Sequence, residues 1–168
     1  MMTEPTQDPL ATLACYADGP AQLEAALAGL TEVDLDLGPT EGGWTIRQIV
    51  HHIADGDDLW GACVKIALGS QAGFSLQWYW AKSQDEWAQT WRYADRVFEP
   101  SAALFRANRA HIVQLVEQVP DAWSCHMVMQ MPDGRQERVT VGDVIAMQAR
   151  HVLGHTEDIR RIRETHHL

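Results

Sequence analysis

The sequence predicts an all-α protein, an antiparallel four-helix bundle with a long tryptophan-rich crossover between its second and third helices. Three observations predict it. Apolar residues recur at helical spacing in four separate stretches. Between the second and third of these, Gly69 to Phe98 is too long for a tight turn and holds much of the tryptophan, so it must pack over the bundle. The length of 168 residues, 46% of them hydrophobic and 21% charged, suits one domain spanning 1–168.

Each element has its own signal. Leu10, Leu13, Ala14 and Ala17 fall on one helical face. Gly19-Pro20 is expected to break that helix, because the residue before proline disfavours the α region, and Pro20 is then placed to open a new one through Leu23, Ala26, Leu27 and Leu30. Thr45, with Gln48 three residues on, predicts a capping box and a helix start. The long helix that follows, Ile46 to Leu68, carries the stripe Ile46, Ile49, Val50, Ile53, Trp60, Val64. Gly69 to Lys82 reads as irregular, and Ser83 to Phe98 as weakly helical. Pro100 opens another helix with Leu104, Ile112, Leu115 and Val119 inward, and Pro120 ends it. Met127 to Thr140 reads as a short hairpin or structured loop around Pro132-Asp133-Gly134. Helical spacing returns from Val141 to about Glu164.

Composition narrows the function. Thirteen basic and 23 acidic residues give a net charge of −10, which argues against nucleic acid or an anionic membrane as partner. No apolar run approaches the length of a spanning helix. The polar Met1–Gln7 segment does not read as a secretory signal. Three cysteines without CxxC spacing indicate neither a disulfide framework nor a zinc ribbon, so a reducing cytoplasm is the expected compartment.

Eight histidines are the informative excess. In the last helix, His151 and His155 fall within the apolar stripe, four residues and roughly 40° apart, so two imidazoles on one face can close on a single metal ion. In the Ile46–Leu68 helix the adjacent pair must separate. His51 points roughly 160° from the apolar centre and is expected on the solvent side, whereas His52, at roughly 100°, is placed to face a neighbouring helix. Three histidines from two helices would leave positions open on the ion, the pattern of a catalytic site. A zincin would carry a glutamate after the first histidine; Val152 stands there, so no general base is built into the motif. Core histidines bonded to backbone carbonyls are the competing reading of the same spacing.

The block Gly-Gly-Trp44-Thr-Ile-Arg-Gln-Ile-Val-His51-His52-Ile-Ala-Asp55, joined to the late His151-xxx-His155, resembles the DinB/YfiT-like superfamily, most closely its YfiT-like branch. The resemblance covers most of the chain. It implies a four-helix bundle, often dimeric, with a divalent metal such as zinc or nickel held by three histidines, here His52, His151 and His155. It implies a small-molecule enzyme, a hydrolase or a transferase using a low-molecular-weight thiol. The alternative is a non-catalytic metal-binding stress-response homodimer.

Further candidates surround these ligands. Asp158 lies between His151 and His155 on the wheel, where a carboxylate could take the free ring N–H of a ligand, although a solvated helix acid is the commoner use of such a position. Gln148 precedes His151 by three and could bond a water or substrate. His111 and Asn108 are expected on the inward face of their helix, as a fourth ligand, a substrate-binding pair or satisfied core groups. Asp55 is expected in solvent or paired with Arg47 or Arg92. Trp78, Tyr79, Trp80, Trp87 and Trp91 could wall a pocket or cover an interface. His166 and His167 are expected to be disordered.

Overall fold

In the computed structural model, which describes residues 8–70 and 73–168, the first helix α1 runs unbroken over Pro9–Leu27, with Asp8 capping it by accepting from the Leu10 N–H at 3.1 Å. The reading of Met1–Gln7 lies outside the described residues. The expected break at Gly19-Pro20 does not occur. Pro20 lacks the N–H that would bond the Tyr16 carbonyl, and that carbonyl accepts instead from Arg109 Nη1 at 2.8 Å. Gly19 makes room for this: a Cβ there would stand 3.3 Å from Arg109 Nη1. A tertiary hydrogen bond thus replaces the lost local one.

The second helix, α2, spans Ile46–Gly69 and starts with the predicted Thr45–Gln48 capping box. The crossover holds a short strand β1 (Gly73–Ser75), the single-turn α3 (Gln77–Trp80) and α4 (Gln84–Thr90), itself opened by a Ser83–Glu86 capping box. Then come α5 (Glu99–Gln118), strands β2 (His126–Gln130) and β3 (Gln136–Thr140), and α6 (Val141–His166). The hairpin is present, turning through Gly134 at φ 84°. Its β2 also pairs in parallel with β1, Gly73 opposite Val128, which no local pattern in three residues announces. Met127 and Met129 turn inward from this small sheet onto the bundle.

The four long helices form a ring. Helix α1 packs on α6 and α5, and α2 packs on α5 and α6. Ile46, Ile49, Val50 and Ile53 of α2 meet Val152, Ile159 and Ile162 of α6 in one apolar cluster, which sets these two helices side by side. That adjacency positions the candidate site. Among the described residues no helix is long and apolar enough to cross a membrane.

The inward face of α5 corrects one expectation. Its buried residues are Ser101, Phe105, Arg109, Ile112 and Val116, while Leu104 is exposed. The stripe is turned by one residue because Arg109, a charged residue, occupies a core position. For the same reason His111 is exposed and Asn108 is half-buried, bonding Asp58 at 3.3 Å. Neither joins the histidine cluster. At the other terminus, His166 is ordered, with Nε2 donating to the Gly38 carbonyl at 2.8 Å, and His167 caps α6 in the left-handed region.

Helix α6 begins against Trp123. A Cβ on Gly142 would lie 2.6 Å from Trp123 Nε1, closer than atoms approach, so Gly142→Ala must displace the indole. The expected loss is about 1–3 kcal/mol of unfolding free energy, read by urea denaturation.

Candidate metal centre

Three ring nitrogens converge between α2 and α6. His52 Nε2 lies 2.8 Å from His151 Nε2, which lies 3.2 Å from His155 Nε2. Together they form a group of possible ligand atoms all within 4.8 Å of one another. Two nitrogens on a tetrahedral zinc, each about 2.0–2.1 Å from the ion, stand about 3.3 Å apart, so the cluster is close to the size a cation requires. The helical spacing places His151 one turn before His155, and α2 brings His52 from the opposite side.

The protonation of the cluster fits a ligand set. His52 is pushed down to about 3, chiefly by burial and then by the charges His151 and His155 would carry. His151 falls to about 4 through burial, then through His155 and Arg109. Burial also lowers His155, against the pull of Asp158. All three are therefore neutral near pH 7, the state a metal ligand needs. His155 Nδ1 donates to Asp158 Oδ2 at 3.0 Å, which fixes its tautomer and leaves Nε2 a lone pair aimed into the cluster. Three lone-pair nitrogens at this range repel unless a proton or cation lies among them. The buried Nδ1 of His151 has no partner among the described residues.

The surroundings shape the approach. The Trp44 ring stands 4.6 Å from His52 and 6.3 Å from His155, centroid to centroid, and Trp44 Nε1 donates to Asp85 of α4 at 2.8 Å. A cavity of about 500 Å³ opens beside His155, lined by Trp44, Ile49, His155, Asp158, Arg161 and Thr165. Arg161 pairs with the other oxygen of Asp158, so the carboxylate is held from both sides. On the far side of the cluster, a Cβ on Gly56 would come to 3.7 Å from His151 Cε1.

The remaining candidates sort clearly. His51 is fully buried rather than solvated: Nε2 donates to the Arg96 carbonyl at 3.3 Å, and Nδ1 accepts from the Ser101 hydroxyl at 2.8 Å. Helix α5 and the crossover cover what a lone amphipathic helix would expose. Gln148 is buried; its carbonyl accepts from Arg109 Nη2 at 3.0 Å, and its Oε1 has no partner among the described residues. Asp55 pairs with Arg96 at 3.1 Å, not with Arg47, which binds Glu32 and Asp36, nor with Arg92, which binds Asp95. Sequence reasoning gave Trp44 no role because it precedes the helix and has no wheel position. It also missed the fully buried Arg109–Asp57 pair, since periodicity counts only apolar residues.

Residues 16–159 match the family model of the DinB superfamily. A provisionally named metal-dependent hydrolase of Geobacillus thermodenitrificans is 27% identical over 154 residues, 90% of this chain and 82% of that protein. A similarly named protein of Geobacillus kaustophilus is 29% identical over 147 residues, 86% of this chain and 78% of its own. The solved structure of YfiT from Bacillus subtilis, described as a probable metal-dependent hydrolase with an unusual four-helix bundle topology, aligns with a TM-score of 0.80. Its identity is 20%, over 98% of this chain and 91% of that one. At that identity the likeness speaks for the fold.

Proposed function

Since the chain belongs to the DinB superfamily, we propose that His52, His151 and His155 hold one divalent ion, zinc or nickel, and that the protein is a metal-dependent hydrolase of a small molecule. The observation that carries this reading is the convergence of three neutral Nε2 atoms beside an open cavity. Three protein ligands leave room for a reactant, unlike a closed structural site. A bound ion supplies Lewis acidity, which polarises a substrate and lowers the pKa of a water or thiol reaching its open side.

The chain's own residues supply orientation. Asp158 holds the His155 ring, Arg161 steadies Asp158, and Trp44 limits water at His52 and His155. Asp158→Asn keeps the shape but weakens the acceptor. The expected result is a 10–100-fold loss of metal affinity with an unchanged melting temperature.

Hydrolysis is favoured over transfer to a low-molecular-weight thiol by the names of the relatives. The test is turnover of a panel of activated esters and amides by metal-loaded protein, with and without added thiol. Metal-dependent turnover without thiol supports a hydrolase. Turnover only with thiol makes the protein a transferase, and none with either makes it a binding protein. We place it in the cytoplasm, in keeping with its three free cysteines; the homodimer of single-domain chains is what the family resemblance implies.

A further inference from the structure

Another face of α2 lines a second cavity. Gly56 faces His151, whereas Asp55, Asp58, Leu59 and Ala62, at the spacing of one helical face, border a cavity of about 510 Å³. The crossover walls it with Trp78, Tyr79, Trp91 and Arg96, and none of these residues lines the cavity beside His155.

Its walls are aromatic and its charge is unbalanced. Asp55 is matched by Arg96 at 3.1 Å. Asp58 is exposed and has no salt bridge among the described residues; its Oδ1 accepts only the Asn108 amide, at 3.3 Å. The lining therefore carries one carboxylate in excess. Tyr79, Trp87 and Trp91 stack in series, with centroids 5.9 and 4.5 Å apart, and Trp78 stands edge-on to Tyr79 at 5.7 Å. This stack already takes a cation: Lys82 Nζ lies 5.0 Å from the Trp87 centroid.

Ring faces attract cations through their quadrupole, and alkylated ammonium ions suit them best because they give up little hydration. An unpaired carboxylate at the edge adds charge selection. We infer that this cavity binds a small organic ammonium ion, its charge beside Asp58 and its alkyl groups against Trp78, Tyr79 and Trp91. This inference is independent of the metal centre.

The test titrates the full chain with choline and with 3,3-dimethylbutan-1-ol, the neutral analogue in which carbon replaces nitrogen. The indole N–H signals of Trp78 and Trp91 are followed by NMR. The expected result is a saturable shift with choline and about tenfold weaker binding of the neutral analogue. Asp58→Asn, an exposed change that retains an acceptor for Asn108, should weaken choline several-fold while leaving the spectrum otherwise folded. Equal affinity for the two compounds, no saturable shift, or an unaltered Asp58→Asn response would overturn the assignment. So would binding to phosphatidylcholine vesicles without binding to free choline, which would mark a membrane surface instead of a small-molecule site.

Discussion

His151→Ala is expected to lower divalent-metal affinity by roughly a thousandfold or more, the largest effect of any single change at the site. His151 Nε2 is the central atom of the cluster, 2.8 Å from one partner and 3.2 Å from the other. Without it, His52 and His155 remain, one from each helix and within 4.8 Å of each other, so a three-histidine site becomes a two-histidine one. Competition with a chromophoric chelator measures the change. The adjacent histidines of α2 provide an internal control. His52→Ala should lose the metal, and the stability it costs is that of a buried ring packed against Trp44. His51→Ala should keep the metal and lose about 1–3 kcal/mol, because a fully buried ring is removed and the Ser101 hydroxyl and the Arg96 carbonyl each lose one of their hydrogen bonds. Equal metal loss in both variants would mean that the assignment within the pair is wrong.

The second large effect lies in the core. Arg109→Met should destabilise the fold by about 3–5 kcal/mol, measured by denaturant unfolding. The guanidinium is fully buried and binds Asp57 Oδ1 at 2.5 Å, the Tyr16 carbonyl and the Gln148 carbonyl. It also lies 3.7 Å from the Tyr16 ring centroid and 4.9 Å from that of Phe105. Methionine fills the volume but leaves the buried Asp57 carboxylate and the Tyr16 carbonyl, which faces Pro20, without a donor, and takes from the Gln148 carbonyl its bond beyond the helix. The pH dependence has a definite sign. Burial already pushes the Asp57 carboxyl up to about 6, with Arg109 pulling the other way. Removing Arg109 raises it further, so in the variant the folded chain holds the proton more tightly than the unfolded chain. That stabilisation is present in acid and is lost as pH rises through the folded-state value. The deficit of Arg109→Met relative to the parent should therefore shrink as pH falls from about 7 to about 5. Adding Asp57→Leu should recover part of the loss at neutral pH, but not the part owed to the Tyr16 carbonyl.

The same ion pair shows where the sequence could be read and where it could not. The helices α2 and α6 with their buried stripes, the start of α2, the hairpin and the convergence of His52 with His151 and His155 follow from apolar periodicity, caps and turn residues. These are local signals, and the structure keeps them. The failures are long-range compensations. Pro20 looks like a helix break until Arg109, 89 positions later in the chain, supplies the hydrogen bond that proline cannot. His51 looks solvated until the residues around Arg96 and Ser101 fold over it. Asn108 and His111 look inward because a wheel built from apolar residues gives Arg109 no weight. Asp158 was legible as a partner for a ligand ring, since three residues on one helix fix the geometry, whereas Trp44 was not, since only tertiary structure brings its ring to His52.

His52, His151 and His155, distant in sequence, are proposed to share one cation. This sharing is tested most directly by elemental analysis of the full chain purified without a polyhistidine tag, beside the His52→Ala, His151→Ala, His155→Ala triple variant. The expected result is about one zinc or nickel ion per parent chain and none in the folded triple variant. A parent that binds no divalent ion after incubation with either metal, or a triple variant that retains a full complement, would contradict it.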